Sequence, residues 1–335
     1  MRVGIAGYGL AGRSFHGPLL KGCGFEVTAI ATSNATRARQ AKDDFPLTNV
    51  VPDFSSLLQH NLDLIIIATA NKVHAEQAHA AISAGIPVVI DKPAARTASE
   101  TAEIFAAAER AGVPITVFYN RLWDSDALTI KQVVRDGLIG KPFRLDSRFE
   151  RFRPQRNPAA WRENESPENG GGLLLDLQTH LISTALDWFG AAELTNAHIR
   201  SIRGESEDDV VLTLKHASGV DSYLSASAIS GNPGPRIRVL GSEGALVIED
   251  LDPQEALLRS GEFPTGGIWG VPTSSRAFIY RGDTREEIVA QPGNYGKFYI
   301  AVKEALATGS PLPISKEQVM SVARIIDEAR RINAR

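Results

Sequence analysis

The fold is decided by the stretch Val3-Gly4-Ile5-Ala6-Gly7-Tyr8-Gly9-Leu10-Ala11-Gly12. A short apolar run typical of a strand leads into the spacing G-x-G-x-x-G, and a helical pattern follows. Glycines at this spacing also mark plain turns, but between a strand and a helix they predict a loop that binds the pyrophosphate of a dinucleotide. Gly7 then permits the tight turn, Gly9 lets backbone amides approach the phosphates, and Gly12 allows close helix–strand packing. Leu10 and Ala11, inside the loop, are also predicted to bind the cofactor.

Strand-like and helical segments alternate through the first 120 residues. The predicted strands are 3–6, 26–31, 62–69, 87–90 and 114–118. The predicted helices are 11–20, 35–44, 54–60, 73–84 and 97–111. This alternation is typical of a parallel sheet with crossover helices. We therefore predict an α/β protein whose N-terminal domain, residues 1–120, is a Rossmann doubly wound parallel sheet that binds NAD(P).

The end of the second strand indicates which nicotinamide cofactor binds. An NAD site usually carries an Asp or Glu about 20 residues past the glycines, where it holds the ribose hydroxyls. This chain has Thr32-Ser33-Asn34-Ala35-Thr36-Arg37 there. With no carboxylate to repel a 2′-phosphate, Ser33 can donate to it and Arg37 can pair with it. The pattern favours NADP(H) over NAD(H), and in the competing interpretation Arg37 and Arg39 are solvated helix residues that contact nothing.

Two polar segments follow later strands, at carboxyl ends where ligands of open α/β sheets bind. The first is Thr69-Ala70-Asn71-Lys72-Val73-His74, and the second is Ile86-Pro87-Val88-Val89-Ile90-Asp91-Lys92-Pro93. His74 either approaches the nicotinamide ribose or simply begins the next helix. Pro93 restricts Lys92 to extended conformations, so that its ammonium can be aimed at a reactant. The alternative for Lys92 is a surface residue at a strand-to-loop junction.

The pattern changes past residue 120. A helix at 127–136 leads into a strand with alternating side chains at 143–152. Further strands are predicted at 195–202, 210–214, 221–226, 237–240 and 245–248. Close strands joined by short turns indicate a largely antiparallel sheet, so we predict a second α/β domain at residues 121–335. The link 153–172 is polar and suits a loop near a binding site, 261–296 is rich in glycine and proline, and a helix is predicted at 318–332.

A predicted helix at 173–189, after three glycines, carries the polar groups of the second domain. Asp176 and His180 are four residues apart and share one face, which Ser183 and Asp187 extend. The other side chains are largely apolar, so this helix is predicted to be buried with one polar seam. Buried titratable groups are costly unless they are satisfied or used. These polar groups either form an Asp–His pair that is satisfied within a core helix, or they act on a ligand. The dinucleotide motif and Lys92 favour the second interpretation.

Composition restricts the class of protein. Hydrophobic residues make up 43% and charged residues 22% of 335 residues, as in an ordinary globular protein. A formal net charge of −3 gives no reason to expect nucleic acid or an anionic membrane as partner. The single cysteine excludes an internal disulfide framework and suits a reducing compartment. We expect no leader peptide, no membrane span, no metal site and a cytoplasmic location.

The motifs together resemble those of a known enzyme family. Besides the glycine loop, Asp91-Lys92-Pro93 and the helix with Asp176 and His180, the matching segments are Phe15-His16-Gly17-Pro18-Leu19, Asn120-Arg121-Leu122-Trp123-Asp124, Arg153-Pro154, Trp161-Arg162, Gly234-Pro235-Arg236, Asp252-Pro253-Gln254-Glu255 and Trp269-Gly270. The set resembles the glucose–fructose oxidoreductase/inositol dehydrogenase (Gfo/Idh/MocA) family, in particular its NADP-dependent scyllo-inositol dehydrogenases. The resemblance covers nearly the whole chain.

The resemblance implies a Rossmann domain, an open-sheet α/β domain that binds substrate, and a homodimer or homotetramer formed through that sheet. It implies hydride transfer between a nicotinamide and a hydroxyl or carbonyl carbon of a cyclitol, sugar or polyol. In the family pattern Lys92 and His180 handle the proton, and Asp176 positions the substrate and His180. The further cofactor contacts that it implies are Thr69, Asn71, His74, Asp91, Lys92 and Asn120. The further substrate contacts are Arg153, Trp161 and Tyr295.

Three departures from the family pattern bear on function. Asp91 stands where the family usually has Glu, Ala70 replaces a common Pro, and Ser183 replaces a substrate-binding Asp of many members. Two alternatives to the dehydrogenase are a non-catalytic NADP-binding sensor or regulator, and redox-assisted elimination or hydrolysis on the same fold. The presence of Lys92, Asp176 and His180 together favours the enzyme, because a sensor needs no proton-handling groups.

Overall fold

The computed structural model describes residues 1–262 and 276–333. This part of the chain divides into two compact units. The first comprises Met1–Asn120, the described part of Gln254–Trp269, and Asn294–Val319. The second comprises Arg121–Pro253, the described residues between 270 and 293, and those from Met320 onward. Two later segments of the chain thus return to the unit that holds the N-terminal residues.

Strands and helices are numbered in chain order. The strands are β1 (Arg2–Ala6), β2 (Glu26–Ala31), β3 (Asn49–Val51), β4 (Leu64–Ile67), β5 (Val88–Asp91), β6 (Ile115–Phe118), β7 (Pro142–Glu150), β8 (Ala192–Arg200), β9 (Asp209–His216), β10 (Asp221–Ser227), β11 (Ile237–Gly241), β12 (Gly244–Ile248), β13 (Ala277–Arg281) and β14 (Thr284–Ile288). The α-helices are α1 (Gly17–Gly22), α2 (Ala35–Asp44), α3 (Phe54–Leu57), α4 (His74–Ser83), α5 (Ala98–Ala111), α6 (Ser125–Arg135), α7 (Trp161–Asn164), α8 (Thr179–Phe189), α9 (Gln254–Arg259), α10 (Gly296–Thr308) and α11 (Lys316–Asn333).

The first unit contains a six-stranded parallel sheet in the order β3-β2-β1-β4-β5-β6. Strands β4, β5 and β6 are buried along their whole length, as strands covered on both faces by crossover helices must be. The predicted doubly wound parallel sheet is confirmed. The short strand β3 was not predicted, because its three residues include an Asn and lack an apolar pattern.

Local signals explain where the helices of the first unit begin and end. The side chain of Asn34 accepts a hydrogen bond from the Arg37 N–H at the start of α2, and Thr97 caps α5 in the same way. Gly112 closes α5 with φ near 64°, a conformation that glycine adopts without strain. The segment predicted as one helix from residue 11 is a π-helical turn, Ala11–His16, that continues into α1.

The second unit contains an eight-stranded sheet in the order β14-β13-β12-β11-β7-β10-β9-β8. Every neighbouring pair is antiparallel except β7 and β10, which run parallel. The predicted mostly antiparallel sheet is confirmed. The last two strands lie in the glycine- and proline-rich stretch for which no strand was predicted, and β14 lacks a signal because four of its five residues are exposed. Trp269 lies outside the described residues. No helix in the described ranges is long and apolar enough to cross a membrane.

Candidate active site

The glycine loop after β1 is tightly packed on its protein side. Gly7 has φ +89°, and a methyl group added to it would lie 2.6 Å from the Ala68 carbonyl oxygen. A methyl group on Gly12 would lie 2.0 Å from the Gly7 carbonyl oxygen. Because both contacts are with backbone atoms, which cannot swing aside, only glycine suits these two positions. Gly9 is different, since nothing lies within 3.6 Å of a methyl group there.

The group nearest to that open side of Gly9 is a cation. The nearest atom to an added methyl on Gly9 is Arg37 Nη1, at 3.6 Å. Arg37 lies in the first turn of α2 and is exposed, and no ion pair or side-chain hydrogen bond of its guanidinium occurs in the described structure. Ser33, in the short segment between β2 and α2, is exposed as well, and its contact with a cofactor stays a prediction. The structure therefore places the Arg37 guanidinium beside Gly9, an arrangement that fits an anionic nucleotide.

A carboxylate at the end of α2, Asp44, is hydrogen-bonded to two residues of the segment that follows β1. Asp44 accepts hydrogen bonds from Arg13 Nε at 2.7 Å and from the Tyr8 hydroxyl at 3.0 Å. Burial, assisted by Asp44, raises the pKa of Tyr8 well above its ordinary value. No Asp or Glu follows β2 where an NAD site usually has one.

Lys92 directly follows β5, at the carboxyl end of the parallel sheet. The residue is only 9% exposed, and the peptide bond between Lys92 and Pro93 is cis. The preceding Asp91 has Oδ1 3.7 Å from Nε2 of His16, whose Nδ1 lies 2.5 Å from the Tyr299 hydroxyl. Burial raises the pKa of Tyr299 well above its usual value. Sequence reasoning quoted His16 only as part of a matching motif and did not predict this buried contact behind Asp91.

His74 links the two loops that follow β4 and β5. It is fully buried, with Nδ1 2.9 Å from the Pro93 carbonyl oxygen and Nε2 3.2 Å from that of Thr69. The Thr69 hydroxyl donates to Gln77 Oε1 at 2.8 Å. Asn71 is 3% exposed and begins a single 3₁₀ turn before α4. His74 is the first residue of α4, as one of its two interpretations expected, and its contact with a cofactor stays a prediction.

Two other predicted contacts are buried in the first unit. Asn120 is the last residue before the second unit and is 5% exposed. Tyr295, predicted to bind substrate, is fully buried just before α10, and its backbone N–H donates to Gln254 Oε1 at 2.7 Å. The Tyr295 side chain is thus buried in the first unit, and its contact with a substrate stays a prediction.

In the second unit, Asp176 is paired with an arginine of the short helix α7. Arg162 Nε lies 3.3 Å from Asp176 Oδ1, and the Arg162 guanidinium stacks 4.5 Å from the Trp161 ring centre. Two residues proposed for the substrate, Asp176 and Trp161, are therefore brought together through Arg162. Arg153 is exposed, and its carbonyl oxygen accepts a hydrogen bond from Arg203.

His180 is the second residue of α8 and is 7% exposed. Its ring meets Phe149 edge to face at 6.1 Å, and Arg236 lies 3.9 Å from the centre of that phenyl ring. Ser183, at the position of a common family Asp, donates its hydroxyl to the His180 carbonyl oxygen at 3.0 Å. The Ser183 hydroxyl is therefore used within the helix.

The helix that carries these groups is not a regular α-helix throughout. Leu174–Gln178 form a π-helical turn that continues into α8, a feature often found at functional sites. Gln178 is fully buried, and its side-chain amide donates to the carbonyl oxygens of Val210 and Leu224. This anchor on strands β9 and β10 was missed by sequence reasoning, because one Gln in an apolar run gives no sign of its partners.

Comparison with known families agrees with this geometry. The model for an oxidoreductase family with an NAD-binding Rossmann fold matches residues 1–119. The model for the GFO/IDH/MocA C-terminal domain matches residues 127–247. The fold and the matched segments define an oxidoreductase with a nicotinamide-dinucleotide-binding domain. The chain belongs to the GFO/IDH/MocA family.

Individual relatives resemble the chain over nearly its whole length. It is 34% identical to the oxidoreductase YdgJ of Escherichia coli, over 98% of this chain and 94% of the relative. It is 33% identical to the scyllo-inositol 2-dehydrogenase (NADP(+)) IolW of Bacillus subtilis, over 98% and 92%. The solved structure of the oxidoreductase yvaA from Bacillus subtilis superimposes with a TM-score of 0.89 at 31% identity, covering 100% of this chain and 98% of that one.

Proposed function

We propose that the protein transfers a hydride between NADP(H) and a hydroxyl or carbonyl carbon of a cyclitol, sugar or related polyol. The observation that carries the proposal is Lys92, a lysine only 9% exposed at the carboxyl end of a strand in a dinucleotide-binding sheet. Ligands of such sheets bind at that edge. A lysine held there provides a fixed positive charge beside the reactants.

The three predicted catalytic residues divide the work of oxidising an alcohol. A bound nicotinamide would supply the hydride acceptor, and the substrate hydroxyl must lose a proton to an acceptor within hydrogen-bond reach. A neutral imidazole such as His180 can accept a proton near pH 7, whereas the ammonium of Lys92 cannot. Lys92 stabilises the developing alkoxide. Asp176, one turn before His180, orients the substrate through a hydroxyl group.

The preference for NADP(H) follows from the surroundings of Arg37. Its guanidinium lies beside the open face of Gly9, and the adjacent strand end offers Ser33 instead of a carboxylate. Charge-assisted hydrogen bonds to a 2′-phosphate are roughly twice as strong as neutral ones. The relative named as an NADP(+)-dependent scyllo-inositol 2-dehydrogenase supports both this preference and a cyclitol substrate.

The proposed reaction is tested with a substrate panel. Purified protein is mixed with inositols, inososes, aldoses and ketoses, and the NADPH absorbance band is followed with NADP(H) and NAD(H) in parallel. We expect turnover of at least one polyol or its ketone, with higher kcat/KM for NADP(H). Tight binding of NADPH without turnover of any member of the panel would contradict the proposed dehydrogenase activity. Product formation without net change in NADPH would contradict net hydride transfer.

Assembly and location are proposed separately. We propose a homodimer or homotetramer in the cytoplasm, as the family resemblance implies. Light scattering of the purified protein measures the assembly, and a monomer at micromolar concentration would contradict it.

A further inference from the structure

A short polar segment of the second unit has no role in the proposed chemistry and is nevertheless buried. Ser206, Glu207 and Asp208 lie between β8 and β9 and are 4%, 3% and 3% exposed. Burying polar groups in a connecting segment costs free energy unless their contacts compensate. The partners of these side chains therefore indicate what the segment does.

The segment holds the glycine loop that precedes α8. The Ser206 hydroxyl donates to the Glu165 carbonyl oxygen, and the Glu207 carbonyl oxygen accepts the Leu173 N–H at 3.0 Å. The Glu207 side chain fills the space beside Gly172, where an added methyl group would lie 2.1 Å from the carboxyl carbon. Gly172 also has φ +86°, in the left-handed region that disfavours other residues.

Gly172 is joined to Asp176 by two routes. Its carbonyl oxygen accepts the Asp176 N–H at 3.2 Å, and its own N–H donates to the Arg162 carbonyl oxygen at 2.8 Å. Arg162 in turn places Nε 3.3 Å from Asp176 Oδ1. A displacement of Gly172 therefore moves both the backbone of Asp176 and the cation that its carboxylate faces.

Glu207 is held mainly by packing. Both carboxyl oxygens are buried, and neither makes a hydrogen bond of normal geometry with the described residues. Burial raises the pKa of Glu207 to about 7, while nearby backbone N–H groups and Arg330 oppose the rise and Glu168 adds to it. A carboxyl group kept in such a place at this cost is expected to have a positional use.

We propose that Glu207 is a positioning residue for Asp176, acting on it through Gly172 and Arg162. The inference rests on the proposed role of Asp176 in substrate binding. Removing the Glu207 side chain leaves a void beside Gly172, so the loop shifts and Asp176 loses its fixed orientation toward a substrate hydroxyl. Glu207→Gln keeps the shape of the side chain and therefore keeps the loop in place.

Two readouts test the proposal on the full-length protein. Amide hydrogen exchange, measured by mass spectrometry, follows peptides that cover residues 162–178, and steady-state kinetics with scyllo-inositol and NADP follow KM and kcat. The variants are Glu207→Ala, Glu207→Gln and Asp146→Asn. Asp146 is the matched control, because it is a buried carboxylate of the same unit that pairs with Arg144 and Arg238 in the sheet.

For Glu207→Ala we expect exchange in 162–178 to rise at least tenfold and the KM for scyllo-inositol to rise about tenfold, with the Kd for NADPH unchanged. Glu207→Gln should stay within threefold on both readouts, and Asp146→Asn should leave exchange in 162–178 unchanged. Unchanged exchange in Glu207→Ala would overturn the proposal whatever the substrate. Raised exchange with an unchanged KM would overturn the positioning role.

The exchange readout separates this proposal from the proposed function. If the unmutated protein turns over no member of the substrate panel, the proposed function fails. The exchange measurement would still test whether Glu207 fixes the segment that carries Asp176. That part of the proposal is supported if exchange in Glu207→Ala rises in residues 162–178 alone, and it fails if exchange does not rise there.

Discussion

Two glycine loops of this protein lead into helices through a π-helical turn, and they differ in what occupies the space that glycine leaves. After β1, Gly7 and Gly12 are closed in by backbone atoms, but the side of Gly9 is open except for the Arg37 guanidinium. Before α8, the corresponding space is filled by the chain itself. A methyl group on Gly171 would meet the Glu165 carbonyl oxygen at 2.0 Å, and one on Gly172 would meet the Glu207 carboxyl group.

The difference separates two uses of glycine that look alike in a sequence. An open loop with a cation beside it is suited to an external anion, whose phosphates the helix N-terminus attracts. A filled loop is suited to fixing the start of a helix, so that side chains one turn later are held in a defined orientation. We propose the first use for the loop after β1 and the second for the loop before α8.

The largest expected effect concerns Lys92, the proposed catalytic lysine, which belongs to neither loop. Lys92→Ala should lower turnover by about two orders of magnitude or more, the scale of losing one such electrostatic group. The Kd for NADPH should stay nearly unchanged, because Lys92 is only one of several predicted cofactor contacts and lies outside the glycine loop. Steady-state kinetics and fluorescence titration measure the two, with Lys215→Ala, an exposed lysine on β9, as control. Activity within about tenfold of the unmutated protein would move the chemistry elsewhere.

Arg37→Ala tests whether the open loop binds a 2′-phosphate. The substitution should weaken NADP(H) binding by roughly 1.5–3 kcal/mol, the worth of a charge-assisted hydrogen bond, and barely affect NAD(H). Isothermal titration with both cofactors measures this. Arg39→Ala, on the same helix and also exposed, is the control that should change neither affinity. Equal affinities of the unmutated protein for both cofactors would refute the assignment.

The filled loop predicts a pH-dependent stability. The pKa of Glu207 is about 7 in the folded protein against an ordinary 4.5, so the folded state binds more protons between these values. Its contribution to stability is thus present below about pH 4.5 and is lost as the pH rises through 7. Between pH 5 and pH 8 the loss should be about 2 kcal/mol.

Denaturant titration of the unmutated protein and of Glu207→Gln at both pH values measures this contribution. The difference in the free energy of unfolding between the two proteins should shift by that amount in favour of Glu207→Gln at pH 8. A shift below about 0.5 kcal/mol would show that Glu207 does not titrate as a buried group.

The smallest expected effect compares two glycines of the second unit with similar backbones. Gly172 has φ +86° with the Glu207 carboxyl group beside it, and Gly219 has φ +91° with no atom within 4 Å of an added methyl. Gly219→Ala should cost about 1 kcal/mol of backbone strain, and Gly172→Ala about 1 kcal/mol more.

A double-mutant cycle with Gly172→Ala and Glu207→Ala measures the coupling energy between the two substitutions. The added methyl group no longer meets the carboxyl group in the double variant, so this coupling should equal the extra cost of about 1 kcal/mol. If Gly172→Ala and Gly219→Ala lower the free energy of unfolding equally, the Glu207 side chain moves away from the added methyl group at no cost. The space beside Gly172 would then be open, like that beside Gly9.

Much of the first unit could be predicted because its signals are local. The apolar runs of β1, β4 and β5, the glycine spacing and the helix caps each depend on residues a few positions apart. Strand β14 could not be predicted, because an exposed edge strand with charged residues carries no apolar alternation. Tyr295 illustrates another limit, since a stretch rich in glycine and proline gave no sign that its ring is fully buried before α10.

The sequence by itself determined that one sheet is parallel and the other mostly antiparallel, the glycine loop that follows the first strand, and the candidate residues Lys92, Asp176 and His180. These follow from periodicity, from motif spacing and from the scarcity of polar groups in apolar segments. Only the tertiary structure decided which distant residues contact the segments that carry these candidates. Glu207 meets Gly172 from 35 positions away in the chain, and His16 faces Asp91 across the first unit. Such contacts depend on how strands and helices pack. A local sequence pattern cannot predict them, because the two partners come together only in the folded chain.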